Sequence, residues 1–326
     1  MKIGKVPNDI LKEIIIDKIR HTRPEVVLRP GIGEDCSAVD FGENICVLSS
    51  DPITGAANEV GRLAVHISCN DIASCGVEPL GLMVTILAPP QTTREDLDGV
   101  MNQLTQTAGS INVEIIGGHT EITDAVNRMV LVSTAIGRVP KGRLISTAGA
   151  VPGDKLVITK SAGLEGTAII AHDREEELVK HLGVGIVEKA KNCIADISVI
   201  KEGILAGEFG VSAMHDVTEG GILGAVWEMA EASGTGVRIN KNLIPVEEET
   251  LKICSHYGID PLKLISSGCM AIACKDGEGL ARHLRSNGVP AAVIGEITAD
   301  SARLLEEAGT VTEISQPGTD ELYNVI

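Results

Sequence analysis

The stretch that most constrains this chain is residues 66–79, which read HISCNDIASCGVEP. At the three- and four-residue steps of a helix, an apolar stripe runs from Val60 to Cys75, and Asp71 is the one acid on it. An ionised carboxylate is costly to bury unless a metal, a cation or several donors meet it. Asp71 is therefore either an anchor for nearby backbone amides or a ligand at the edge of a cleft.

Length and charge limit the classes of protein to consider. The 326 residues suffice for two domains of ordinary size. The formal charge of −17 argues against binding duplex DNA or an anionic membrane, although a bound divalent cation would still admit nucleotides. We find no apolar run of membrane-spanning length and no signal-peptide core, so we expect a cytoplasmic protein. The eight cysteines contain no Cys-x-x-Cys pair, which favours ordinary buried thiols.

Hydrophobic periodicity predicts a mixed α/β chain in which strands that end in an acid or a glycine pair lead into helices. The predicted helices cover 8–20 with Asn8 as N-cap, 60–75, 92–108 with a capping box of Thr92 and Glu95, 186–205, and 222–233. The predicted strands cover 45–49, 82–87, 113–116, 129–136, 155–159, 211–214, 268–273 and, as the last, 291–294.

Domain organisation follows from the breakers. The segment 140–152 is rich in glycine and proline, and it predicts a boundary between a domain of residues 1–150 and one of residues 151–326. The chain has no Gly-x-Gly-x-x-Gly fingerprint and no Walker P-loop, which argues against a doubly wound parallel sheet.

Three acids stand at turns or on the inward stripe: Asp35, Asp51 and Asp71. Hard oxygen ligands from several segments are what Mg²⁺ requires, with water and phosphate oxygens completing its shell. Any one of them alone is more simply interpreted as a turn-forming or capping aspartate. Together, and with Asp71 on an apolar stripe, they favour a metal-phosphate site.

The segment 117–121 reads Gly-Gly-His-Thr-Glu and follows a strand predicted to be buried. Two glycines let backbone N–H groups approach an anion, and Thr120 can add a hydroxyl donor. A tight turn that carries a solvated histidine is the alternative.

The segment 215–221 reads His-Asp-Val-Thr-Glu-Gly-Gly, between a strand and a helix. Free amides and the positive dipole end at Gly220 and Gly221 predict a phosphate seat. An ordinary N-cap by Asp216 or Thr218 is the alternative.

The order of these motifs resembles the aminoimidazole ribonucleotide (AIR) synthase superfamily over nearly the whole chain. Its members include AIR synthase, thiamine-monophosphate kinase, selenophosphate synthetase and a hydrogenase-maturation protein. The nearest match is the hydrogenase-maturation branch, through Asn-Asp-Ile-Ala, Met-His-Asp-Val-Thr-Glu-Gly-Gly and the Ile-Gly-Glu-Ile near residue 295. The other segments that carry the resemblance are Gly33-Glu34-Asp35, Ser50-Asp51-Pro52 and the Gly-Gly-x-Thr segment.

The resemblance implies an N-terminal mixed sheet that forms a barrel with the sheet of a second subunit, and a C-terminal α/β domain. It implies a cleft for ATP and Mg²⁺ between the domains and across a homodimer, with Asp35, Asp51 and Asp71 as metal ligands. It implies catalytic roles for His119, Glu121 and Asp216. The implied nucleotide contacts are Gly33, Asn70, Gly117, Gly118, Thr120, Thr218, Gly220 and Gly221.

The chain departs from the family pattern in two places. His119 stands where the family usually has an acid, and neutral imidazole is a poor Mg²⁺ ligand. Glu121 could substitute for that acid, or His119 could act as a general base, or the site could hold fewer metals. No cysteine follows Cys274, whereas the cyanide-forming enzymes carry their carbamoyl group on a terminal cysteine, so we expect that reaction not to proceed in its known form. A selenophosphate-type reaction is disfavoured because no cysteine precedes Gly31.

Our main hypothesis is therefore an ATP- and Mg²⁺-dependent homodimeric enzyme that activates an oxygen of a small-molecule substrate by phosphoryl transfer, as in the hydrogenase-maturation branch. A second hypothesis is transfer to a phosphorylated acceptor, as in thiamine-monophosphate kinase, or an AIR-synthase-like transfer. A third is a nucleotide-binding module without turnover that acts on a maturation-protein partner. We expect no nucleic-acid or membrane partner.

Overall fold

The computed structural model describes residues 3–54 and 59–326. Within them the chain forms two β-sheets with helices packed on both. The α-helices are α1 (Asn8–Ile14), α2 (Val60–Ser74), α3 (Arg94–Ser110), α4 (Leu164–Asp173), α5 (Glu175–Leu182), α6 (Val184–Asn192), α7 (Ile200–Phe209), α8 (Gly221–Ser233), α9 (Glu248–Tyr257) and α10 (Gly277–Ser286). None of these helices is long and apolar enough to cross a membrane.

The first sheet has six strands in the order β1-β2-β3-β6-β4-β5. Its pairs are antiparallel except for β4 with β5, which run parallel. Helices α2 and α3 pack beside it, and Ile72, Leu82, Leu104 and Leu131 are buried in its core. The strands are β1 (Val26–Leu28), β2 (Ser37–Asp40), β3 (Asn44–Ile53), β4 (Pro79–Ala88), β5 (Glu114–Ile122) and β6 (Val130–Pro140).

The second sheet has seven strands in the order β13-β12-β9-β11-β7-β10-β8. Its pairs are antiparallel except for β12 with β9. The strands are β7 (Lys155–Thr159), β8 (Ala213–Asp216), β9 (Gly236–Asn240), β10 (Met270–Cys274), β11 (Ala291–Thr298), β12 (Arg303–Glu307) and β13 (Thr310–Glu313). This mixed α/β architecture of two sheets confirms the predicted fold class. The barrel across a dimer involves a second chain and stays a prediction, as does the division at residue 150.

Helix α2 carries Asp71, which we predicted to lie on an apolar stripe. Of its fifteen residues, thirteen are buried, so the helix is covered on more than its apolar stripe. Its last residue is Ser74, and Gly76 follows the cap residue Cys75, which agrees with the predicted end. Asp71 is 7% exposed, as its place on the stripe predicted.

Three helix predictions are wrong in detail. The capping box lies one residue later than predicted, because Thr93 bonds the amide of Asp96 and Asp96 bonds back. The N-terminal helix ends at Ile14, its N-cap is Pro7, and a 3₁₀ turn replaces its second half. The predicted helix 186–205 is two helices, α6 and α7, because a 3₁₀ turn and residues 197–199 interrupt it. The prediction that 291–294 is the last strand is also wrong, since β12 and β13 follow.

Candidate metal and nucleotide site

Strand pairing places Asp51 beside α2. The Ser49 hydroxyl on β3 donates to Oδ2 of Asp71 and lies 3.1 Å from Oδ2 of Asp51, so one hydroxyl joins the two acids. We predicted that this strand ends at Ser49, but β3 extends further. It continues through Asp51, which pairs with Ser133 of β6. The carboxylate of Asp51 is therefore fixed by the sheet and not by a turn.

Asp216 is the last residue of β8, and its side chain is buried with 1% exposed. Neither of its carboxylate oxygens has a hydrogen-bond partner. Asp35, in the loop before β2, is 11% exposed. Ligand atoms of Asp35, His215 and Asp216 all lie within 4.8 Å of one another. The structure thus brings acids from four segments of the chain into one cluster, which we call the acid centre: Asp35, Asp51, Asp71 and Asp216.

Burial and mutual repulsion make the ionised form of the carboxylates in the acid centre unfavourable. Burial raises the pKa of Asp71 well above its usual range, and the charges of Asp216, Asp51 and Asp35 raise it further. Burial also raises the pKa of Asp216, with Asp35 and Asp51 adding to the effect and His215 opposing it. Such a group of carboxylates must either hold protons or meet a cation.

The donor set fits a hard divalent cation. Carboxylate oxygens and a nearby hydroxyl are the ligands that Mg²⁺ prefers. Buried polar atoms without a partner are rare in folded proteins, so the two unpartnered oxygens of Asp216 are the specific observation that supports a cation here. That these residues bind Mg²⁺ stays a prediction.

His215 lies between Asp35 and Glu228, and we did not assign it a role from the sequence. Its Nδ1 lies 2.8 Å from Oδ1 of Asp35, and its Nε2 lies 3.1 Å from Oε2 of Glu228. Burial lowers the pKa of His215, but its pairs with Asp35 and Glu228 raise it more, so that it lies well above its usual range. The contact with His215 therefore holds Asp35 in place. Its position next to Asp216 was the one signal in the sequence that could have identified it. Its partners could not be identified in this way, because they are distant along the chain.

Glu228 of α8 supports that histidine from behind. It accepts a 3.2 Å hydrogen bond from the side chain of Asn8, and the ammonium of Lys5 lies 3.5 Å away. Burial raises its pKa, but the hydrogen bond from His215 and the charge of Lys5 outweigh burial and lower it to about 2. Asn8 is thus a buried donor here and not the predicted N-cap.

Asn70 has a different place from the predicted nucleotide contact. It is fully buried, its Nδ2 donates to the carbonyl of Ile197 at 2.8 Å, and its Oδ1 accepts from the amide of Val199 at 2.9 Å. Both ends of the amide are therefore engaged. Asn70 joins α2 to the segment before α7, and its contact with a nucleotide stays a prediction.

Residues 117–121 are not the predicted loop. They continue β5, which pairs parallel with β4, and most of this edge strand is exposed rather than buried. A Cβ at Gly118 would lie 1.9 Å from the carbonyl oxygen of Val84, so this glycine is required by the approach of β4. Gly117 and Thr120 lie beside it on the strand.

His119 and Glu121 project from this edge, with 66% and 55% of their side chains exposed and 3.5 Å between Nε2 and Oε2. β6 and β4 separate their strand from β3, which carries Asp51. At the usual spacing of strands this places them about 14 Å from Asp51 across the sheet. Within one chain, the structure does not bring His119 and Glu121, two of the three predicted catalytic residues, to the acid centre.

The predicted phosphate seat requires free amides before α8, but both of these amides are bonded within the chain. The amide of Gly220 donates to Oδ2 of Asp320 at 2.7 Å, and the amide of Gly221 donates to the carbonyl of Thr218 at 3.1 Å. An anion could bind these amides only after the contact with Asp320 is broken. Thr218 lies in the same turn, two residues after Asp216.

Gly33 packs against protein and not against open space. Its φ is +77°, and a Cβ at this position would lie 2.9 Å from the carbonyl oxygen of Glu228. The loop 31–35 therefore rests on α8, which brings Asp35 to His215. This contact, rather than a nucleotide, accounts for the glycine.

Family models match most of the chain. The AIR synthase related protein N-terminal domain matches residues 33–139, and the AIR synthase related protein C-terminal domain matches residues 151–305. The chain belongs to the AIR synthase related family. This confirms the predicted family.

Relatives come from the hydrogenase-maturation branch. A putative hydrogenase expression/formation protein of Methanocaldococcus jannaschii is 29% identical over 317 residues, covering 93% of this chain and 91% of the relative. The carbamoyl dehydratase HypE of Rhizobium leguminosarum is 29% identical over 279 residues, covering 82% of this chain and 78% of the relative. The expectation of an enzyme is confirmed at the level of the family.

Solved structures share the fold. The HypE–HypF complex matches with a TM-score of 0.78 at 22% identity, covering 94% of this chain and 99% of that chain. HypE in complex with ATP matches with a TM-score of 0.71 at 20% identity, covering 98% and 97%. ThiL complexed with AMPPCP and TMP matches with a TM-score of 0.74 at 14% identity, covering 96% and 95%. At these identities the likeness shows the fold alone.

Proposed function

We propose that this chain is an ATP- and Mg²⁺-dependent enzyme that transfers the γ-phosphoryl group of ATP to an oxygen of a small substrate. The observation that carries the proposal is Asp216, a buried carboxylate with two unpartnered oxygens inside a cluster of further acids. The acid centre would hold Mg²⁺ through Asp35, Asp51, Asp71 and Asp216. When bound, the metal supplies positive charge that offsets the negative charge of the phosphates.

The residues of the chain then orient and isolate the reacting groups. Ser49 holds Asp51 and Asp71 in a fixed relation, and His215 does the same for Asp35. Positioning and electrostatics carry most of the catalysis in phosphoryl transfer. Burial of these acids excludes water that would compete for the metal and for the transferred group.

ATP as the phosphoryl donor is supported by the family. Solved relatives with this fold include HypE with ATP and ThiL with AMPPCP, a nucleotide analogue. A cavity of about 280 Å³ lies beside β4 and β5, and Gly117, Gly118, His119 and Thr120 form part of its wall. We propose this cavity as the nucleotide contact of the glycine segment.

We propose that the acceptor is a carboxamide. Two relatives are carbamoyl dehydratases by name, and dehydration of a carboxamide removes its oxygen. Phosphorylation makes that oxygen a leaving group: the carboxamide and ATP give an imidoyl phosphate, ADP and a proton. Loss of phosphate and of the remaining nitrogen proton then leaves a nitrile.

A homodimer would complete the site. β5 ends the first sheet with an unpaired edge, and Ile116 and Ile122 on it are 47% and 52% exposed. Exposed apolar edges are commonly covered in native proteins. We propose that a second copy covers this edge and that His119 and Glu121 act there, across the interface. A maturation protein is a further proposed partner, since HypE forms a complex with HypF.

Light scattering of the purified protein tests the dimer. We expect the mass of two chains, and we expect Ile122→Lys on the β5 edge to shift the population toward one chain. Val184→Lys is the matched control, because Val184 is 63% exposed on a different part of the chain. A single-chain mass for the wild type would overturn the dimer.

Product analysis tests the reaction. The protein is incubated with ATP and Mg²⁺ and with a panel of carboxamides, formyl amidines and phosphorylated alcohols. We expect ADP and phosphate to form only with a carboxamide. ADP formation that depends on a phosphorylated alcohol would instead support a thiamine-monophosphate-kinase-like transfer. Tight binding of ATP with no ADP formed under any condition would support a non-catalytic nucleotide-binding partner.

A further inference from the structure

The N-terminal segment 4–8 is fastened to the loop that follows β8. The backbone amide of Lys5 donates to Oε2 of Glu219 at 2.9 Å, and Gly4 packs against the ring of Tyr323. Tyr323 itself donates from its hydroxyl to Oε1 of the same Glu219 at 3.2 Å. The side chain of Asn8 is bonded to Glu228. These contacts fix the position of the Lys5 backbone, from which its side chain extends.

From that position the ammonium of Lys5 reaches Glu228, which lies beside the acid centre. Its Nζ lies 3.5 Å from Oε1 of Glu228, and 48% of its side chain is exposed. Burial lowers the pKa of Lys5, but the charges of Glu228, Asp35, Glu219 and Asp216 raise it more. The field at the ammonium therefore comes from two members of the acid centre and from the two glutamates beside it.

Two cations act on Asp216, and they differ in what they can reach. His215 is buried, and both of its ring nitrogens are engaged by Asp35 and Glu228. Lys5 has three donor protons, a flexible four-carbon stem and one ionic contact within reach of its Nζ. Glu228 is also bonded by His215 and Asn8, so it keeps two partners when the ammonium turns to a phosphate. Of these two cations, Lys5 is the one whose ammonium can turn from its contact with Glu228 to an incoming anion.

We propose that Lys5 binds the terminal phosphoryl group of ATP from the side of the C-terminal domain. This inference rests on the proposed function. A compact, charged ammonium suits a phosphate as a point charge. During transfer, the bond from the β,γ-bridging oxygen to the phosphorus breaks and a bond from the acceptor oxygen forms. Lys5 keeps its protons throughout and offsets charge on the equatorial phosphate oxygens.

Nucleotide affinities distinguish this role from a structural one. Calorimetry with Mg²⁺ present compares a non-hydrolysable ATP analogue with ADP, on full-length wild type, Lys5→Met, Lys5→Arg and Lys12→Met. Lys12, on α1, is exposed and is the matched control. We expect Lys5→Met to weaken binding of the ATP analogue by about 10- to 100-fold and ADP binding by less than about threefold. We expect Lys5→Arg to retain most of the affinity and Lys12→Met to match wild type.

Two results would overturn the inference: equal losses for both nucleotides in Lys5→Met, or no loss for either. The ratio of the two affinities separates this role from partial unfolding, because an unfolded fraction of Lys5→Met lowers the apparent binding of both nucleotides alike. If Lys5→Met does not fold, the uncharged and more polar Lys5→Gln takes its place in the same comparison. Failure of the wild type to bind either nucleotide would overturn the proposed function as well. Normal binding by the wild type, lost in Asp216→Asn but unchanged in Lys5→Met, would overturn only the role of Lys5.

Discussion

At the scale of residues, Glu165 is a buried acid outside the acid centre whose carboxyl is only partly satisfied. Glu165 in α4 is 6% exposed, and its Oε2 has no hydrogen-bond partner. Burial raises its pKa from 4.5 to about 7, and Asp320 and Glu219 add to that effect. The folded chain therefore holds a proton between these pH values that the unfolded chain has released. Stability from this group is largest below pH 4.5 and declines as pH rises through about 7.

We predict that Glu165→Gln removes this dependence. At about pH 8 the variant should exceed wild type in free energy of unfolding by on the order of 2 kcal/mol, because no buried charge remains. Urea unfolding across the acid-to-neutral range measures the effect. The exposed Glu208→Gln on α7 is the control. If the free energy of unfolding of Glu165→Gln depends on pH as that of wild type does, this carboxyl is not the source of the pH dependence.

A second residue-scale prediction concerns Gly33. A Cβ there meets the carbonyl of Glu228, and φ is positive, so Gly33→Ala should cost roughly 2–3 kcal/mol and displace Asp35. Gly42 has a similar φ of +94° with nothing within 4 Å of its Cβ position, so Gly42→Ala isolates the backbone strain alone. Equal losses of stability in the two variants would contradict the packing against α8.

At the scale of elements, Asn70 connects α2 to the segment before α7. Asn70→Ala would leave the carbonyl of Ile197 and the amide of Val199 unpaired, so we predict a loss of roughly 3 kcal/mol in unfolding free energy. Chemical denaturation measures the loss, and the exposed Asn102→Ala on α3 serves as the control. Unchanged stability combined with weaker ATP binding would instead support the nucleotide role that we predicted from the sequence.

Local pattern predicted the elements best where the signal is itself local. The apolar stripe of α2 placed Asp71 correctly, and β7 has the predicted bounds because the four residues after Lys155 are all buried. The segment 117–121 was misread, because a glycine pair next to a polar run has the composition of a loop. Its pairing with β4 depends on residues more than thirty positions earlier. Likewise, the break between α6 and α7 follows from the contacts of residues 197–199 with Asn70 and not from a breaker residue.

At the scale of the whole molecule, the acid centre joins both sheets. Asp51 and Asp71 belong to the first sheet and its helix, and Asp216 ends a strand of the second. The motif order allowed these acids to be grouped before the structure. The supporting residues could not be found in that way, because Glu228 and Asn8 are 220 residues apart and only the fold brings them together.

The central claim is that the acid centre is kept for a cation at a cost in stability. Neither carboxylate oxygen of Asp216 has a hydrogen-bond partner, and burial among further acids raises its pKa, so replacing this acid should stabilise the metal-free fold. The same change should remove a ligand. A residue needed only for folding would not show these opposite effects.

Thermal unfolding of wild type and Asp216→Asn, with and without Mg²⁺ and a non-hydrolysable ATP analogue, tests this claim most directly. Asp173→Asn, an exposed acid on α4, is the control. We predict that Asp216→Asn is more stable than wild type without ligand, by about 1 kcal/mol or more, and binds the metal-nucleotide pair at least about tenfold more weakly. A variant that is less stable without ligand, or that is stabilised by Mg²⁺ and nucleotide as strongly as wild type, would contradict the account.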